Sequence, residues 1–92
     1  MTYTVVLRAE SEEGFTVLVP ALPGCVSFGA TEAEALAMVR DAILCHVEGM
    51  ESTGQMAPVE GSDTVLSIPV EELTGPLTIH RVSVHPEVVA VA

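Results

Sequence analysis

Ninety-two residues allow one small domain, and a chain of this length buries only about 60% of its unfolded surface, so its core is thin. Thirteen Asp and Glu stand against three Arg and no Lys; the net charge of −10 repels phosphate and excludes direct nucleic-acid binding as an expected role. The acidity does not imply disorder, because 49% of residues are hydrophobic, fifteen of them Val, and such a composition favours pleated sheet.

Residues 3–9 alternate, with Tyr3, Val5, Leu7 and Ala9 on one face and Thr4, Val6 and Arg8 on the other, which predicts a strand. The polar residues 10–14 then form a hairpin loop in which Gly14 can take a positive φ. A second strand over 15–19 aligns Phe15, Val17 and Val19 and ends at Pro20, which cannot donate to a ladder. Pro23 and Gly24 suit a type II turn, Pro presetting φ and Gly accepting the left-handed position. Cys25 begins a short third strand, 25–28, as a small buried hydrophobe, and Gly29 breaks it.

Thr31 opens a helix as the first residue of a capping box, T-x-x-E, with Glu34 as the last. Glu32 and Glu34 also sit at the positive end of the helix dipole. Leu36, Val39, Ile43, Val47 and Met50 recur at three- and four-residue steps as the core stripe, and Gly54 is the stop. Met38 and Cys45 fall beside Asp41, nearly opposite that stripe. They are either scattered exposed apolar residues or part of a second contact surface used in oligomerisation.

Residues 55–76 read as a linker, with a short strand possible over 64–68 and one helical turn after Pro69. The C-terminal strand, 77–86, carries Leu77 and Ile79 on one face and Val82 and Val84 on the other. A strand apolar on both faces belongs inside a sheet or against a partner. The tail is apolar too, so Met38, Cys45, Val82, Val84, Val88 and Val89 are the candidate interface of a homo-oligomer, most simply a dimer.

Residues that could carry chemistry are dispersed. The seven Gly form no phosphate loop, no nucleophile–base motif is present, and His46, His80 and His85 lack metal-ligand spacing. Glu10, Glu12 and Glu13 are a dense carboxylate group, but in a hairpin tip, whereas a two-metal nuclease needs carboxylates converging from rigid strands. No catalytic, metal or cofactor site is expected. Cys25 and Cys45, twenty apart, are expected to be buried free thiols. No stretch reaches the roughly 20 apolar residues of a membrane span, and no signal peptide is evident, so the expected location is cytoplasmic.

One ordered series of motifs is specific. Residues 3–7 (Tyr-Thr-Val-Val-Leu) lead to the acidic hairpin ending at Gly14 and to Phe15-Thr16-Val17. Pro20-x-Leu22-Pro23-Gly24-Cys25-Val26-Ser27 follows, then Gly29-x-Thr31 and Glu34-Ala35. Over residues 3–51 this resembles the N-terminal domain of HicB antitoxins, of HicA–HicB toxin–antitoxin pairs. The resemblance implies an α+β fold, an antiparallel β-meander in β-β-β-α-β order with one helix packed on the sheet. It further implies a partial RNase H-like fold without RNase H activity, over a single HicB-like domain spanning 1–92: meander and helix over 1–54, linker over 55–76, and last strand over 77–86.

The implied function is to bind a small basic HicA-like toxin that cleaves mRNA and to block its active site. A surface of −10 would steer toward such a cationic partner. The alternative is a stand-alone oligomeric binding or scaffold domain without a toxin. Longer family members carry a helix-turn-helix or ribbon-helix-helix for operator DNA; no basic helix follows the last predicted strand here.

Overall fold

Alternation of side chains in the first and last strands builds a sheet around β1. The structure, a computed structural model, describes residues 1–10, 12–61, 66, 68 and 75–84. Its elements are β1 (Thr2–Ala9), β2 (Phe15–Leu18), β3 (Val26–Gly29), α1 (Glu32–Ser52) and β4 (Leu77–Ser83). The four strands form one antiparallel sheet in the order β3-β2-β1-β4. The first three are the expected meander, and β4 returns to the far side of β1, where Tyr3 pairs with Val82 and Val5 with His80. The fold class is α+β.

Local chemistry places each junction. Glu10 N donates to Gly14 O at 3.1 Å, and Gly14, at φ 87°, closes the β1–β2 hairpin. Cys25 N donates to Leu22 O at 2.9 Å across Pro23 and Gly24, and Gly24 lies at φ 88°, which makes this a type II turn. The α1 N-cap is Thr31, whose Oγ1 accepts from Glu34 N at 3.1 Å. Only this half of the capping box is formed. The helix ends in a Schellman motif: Gly54 at φ 79° donates to Glu51 O, and Gln55 N donates to Met50 O.

The core lies between α1 and one face of the sheet. Tyr3, Val5 and Leu7 from β1 and Val17 from β2 meet Ala35, Val39, Ile43 and Val47 from α1, all buried. Relative to the expected stripe, Ala35 is fully buried at the first turn, where its backbone lies against Gly29 of β3, while Leu36 is half-buried.

One expectation about β4 needs correction. Val82 and Val84, assigned to an oligomer interface, are 2% and 3% exposed within this one chain and belong to its core, because they lie on the α1 side of the sheet. Of the two placements the sequence leaves open for β4, inside a sheet or against a partner, the first is not seen: among the described residues β4 is an edge strand, and Leu77 and Ile79 face away from α1 and are exposed. Cys45 is exposed rather than buried, while Cys25 is buried, and both are free thiols. The strand expected over 64–68 and the helical turn after Pro69 lie outside the described residues, save Leu66 and Ile68, both half-buried. Val88 and Val89 lie outside them as well.

Candidate functional site

Each residue of the Leu-Pro-Gly-Cys segment has a backbone or packing position. Pro23 and Gly24 are exposed corners of the turn, and Cys25 points into the core with its thiol pushed up by burial and by the nearby Cys45. A protonated thiol in that setting is a poor nucleophile. Gly29 has a different constraint from the one its strand-breaking role suggests. A Cβ there would lie 2.3 Å from Ala35 N and 2.6 Å from Ala35 Cα, so the helix backbone rests directly on the end of β3.

That close approach shapes a groove at one end of the molecule. It is lined by Gly14, Gly29 and Ala30, by Phe15 and Phe28, and by Glu10, Glu13 and Glu34. Phe28 is 65% exposed. Glu10 is already engaged: its carboxylate accepts from the Thr16 hydroxyl and from Arg8, with Arg8 Nη2 at 3.1 Å. These bonds, Thr16's first, hold its carboxyl below the usual range. Glu13 and Glu34 are exposed. Sequence reasoning listed Glu34 only as a cap residue and left Phe28 unassigned; a large aromatic on the face opposite buried Ser27 was the available signal.

A second cleft, about 340 Å3, opens at the other end, beside the C-terminus of α1 and the start of β1. Here Tyr3 Oη donates to Pro58 O at 2.6 Å, while the Glu60 carboxylate accepts from Thr4 N at 2.8 Å and from the Thr4 hydroxyl. Burial, then the Glu60 charge, raises the Tyr3 phenol above its ordinary value. These contacts pin the post-helix segment to β1 and leave Tyr3 and Glu60 occupied. On the sheet's helix side, His80 Nε2 lies 2.9 Å from Glu32 Oε1 but off the line of a hydrogen bond, so the contact is one of proximity.

Met38 (47% exposed) and Cys45 are both exposed on α1. Among the described residues, no group of three His, Cys, Asp or Glu side chains converges to hold a metal, and no helix is long and apolar enough to cross a membrane.

The architecture is a four-stranded antiparallel sheet with one covering helix, with Phe28 at the end of an edge strand and exposed carboxylates from the β1–β2 hairpin and α1 beside it. The profile of the HicB-like antitoxins of bacterial toxin–antitoxin systems matches residues 3–87, and the chain belongs to that family. A UPF0150 protein of Thermoplasma acidophilum is 32% identical over 65 residues, which are 71% of this chain and 94% of that one. Among solved structures, the N-terminal domain of the Burkholderia pseudomallei antitoxin HicB is 27% identical with a TM-score of 0.61, covering 94% of this chain and all of that one. A chain of the HicA3–HicB3 toxin–antitoxin complex has a TM-score of 0.64 over 94% of this chain and all of that one; at 22% identity it speaks for the fold alone.

Proposed function

We propose that this chain neutralises a small basic HicA-type toxin by binding it directly. The observation that carries this reading is the family match over residues 3–87. The 27% identity to the N-terminal domain of the Burkholderia pseudomallei antitoxin HicB, over the whole of that chain, supports it. Charge supports it independently: a chain of −10 attracts a cationic protein and competes with RNA for its basic surface. In this reading the sheet and helix are a partial RNase H-like scaffold used for binding, without catalysis of its own. The antitoxin works in the cytoplasm.

The test is co-purification. Tagged chain expressed with the product of the adjacent reading frame should retain a small basic protein through a moderate-salt wash. Recovery of the chain alone, with that product present and folded in the same lysate, contradicts the proposal.

Self-association is a second part of the proposal, favoured by the exposure of Ile79 (67%) and Leu77 on an edge strand. The stretch Leu77–Ser83 contains no carboxylate and carries Arg81, so two copies can approach there with less repulsion than elsewhere on so acidic a chain.

A further inference from the structure

The outer edge of β3 is a surface that the core leaves unexplained. β3 ends the sheet, so one side of its backbone has no strand beside it among the described residues. Val26 and Phe28 project from its far face and are 46% and 65% exposed. An open edge with two exposed apolar side chains is a template for an added strand. The groove lies at the C-terminal end of this strand, where Phe28, Gly29 and Ala30 meet Gly14 and Phe15.

The groups around the groove specify what enters. Phe28 offers an aromatic face, and Glu13 and Glu34 offer carboxylates. Glu10 is taken up by Arg8 and Thr16. Glu34 does not turn back to the Thr31 amide, as a complete capping box would require; the Thr31–Glu34 contact is the single bond from Glu34 N. Its carboxylate therefore remains for an incoming group. An aromatic face beside two carboxylates suits a planar cation: a guanidinium can stack on the ring and fork to an acid at the same time. Lysine, a point charge, gains less from such a site. A phosphate or a nucleic acid is repelled. A second copy bringing the same edge would set carboxylates against carboxylates.

Resting on the antitoxin reading, we propose that the toxin docks along the β3 edge as an extended segment. One of its arginines enters the groove, stacked on Phe28 and hydrogen-bonded to Glu13 and Glu34.

Calorimetric titration of the full chain with the purified adjacent-frame toxin tests this. Phe28→Ala and the double variant Glu13→Gln/Glu34→Gln should each weaken binding by about tenfold or more. The double variant should also flatten the salt dependence. Glu48→Gln, an exposed carboxylate on α1 outside the groove lining, should bind as wild type does. Phe28 is exposed and Gln keeps the shape of Glu, so the variants are expected to fold, and unchanged thermal midpoints verify that. Tight wild-type binding that both variants match within about twofold overturns the β3 docking face and leaves the antitoxin reading intact. No binding by the wild type overturns the antitoxin reading and this face with it.

Discussion

Glycines 24 and 29 stand five residues apart and are required for different reasons. Gly24 sits at φ 88° with open space where a Cβ would be, so Gly24→Ala strains only the backbone and should cost about 1 kcal/mol. Gly29→Ala drives a methyl group into the backbone of Ala35 and should cost clearly more, because neither the strand nor the helix can yield alone. Chemical denaturation of both variants checks the order; equal midpoints contradict it. Thr31→Ala, removing the cap oxygen, belongs on the same scale at about 1 kcal/mol. The thiols give a second test. Cys45 is exposed and Cys25 is buried with its ionisation suppressed, so a thiol reagent should modify one cysteine per native chain and two after unfolding. Two fast-reacting thiols in the native state would place Cys25 wrongly.

These residue-scale features differ in how far the sequence reveals them. The Pro23-Gly24 turn and the Thr31 cap are legible because the chemistry that specifies them lies within four residues. The role of Gly29 is not, because its constraint comes from a helix turn whose approach exists only after folding. The same reason hides the groove. Phe28 is on a strand, Glu13 in a hairpin and Glu34 on a helix, and only the tertiary fold brings them together.

Among the elements, β1 is the centre of the sheet, held by β2 on one side and β4 on the other. Its alternation was read correctly, and so was the alternation of β4. The sequence leaves the position of β4 open, because an apolar-on-both-faces strand looks alike whether buried between neighbours or left at an edge with one face exposed. The β1–β2 hairpin is tied at its base by Glu10, which joins Arg8 on β1 to Thr16 on β2. Folding lowers the Glu10 pKa below its ordinary 4.5, through the Thr16 hydroxyl first and Arg8 second. Between the two values the unfolded chain holds more protons, so this contribution to stability is complete above the ordinary value and is lost as pH falls through the lower one. Glu10→Gln should therefore be less stable than wild type near neutrality, and the gap should close in acid. A gap of constant size from neutral to acidic pH would show that the tie is not electrostatic.

For the whole molecule, the charge of −10 and the two sheet edges divide the surface into two roles. In the proposals above, the carboxylates around the groove at the end of β3 receive a cationic partner, and the stretch Leu77–Ser83, which itself contains no Asp or Glu, receives a second copy. If copies associate through β4, salt should tighten the association by screening the remaining repulsion between two acidic chains. Sedimentation equilibrium at micromolar concentration should show a dimer that strengthens with salt and weakens on Ile79→Arg. A monomer at both low and high salt contradicts that assembly. The toxin interface should respond oppositely, weakening as salt rises.

Growth rescue tests the central claim most directly. Cells induced for the adjacent-frame toxin should stop growing, and co-expression of this chain should restore growth. The Phe28→Ala chain, expressed to the same level, should restore less. Continued arrest in the presence of abundant, folded wild-type chain would contradict the account.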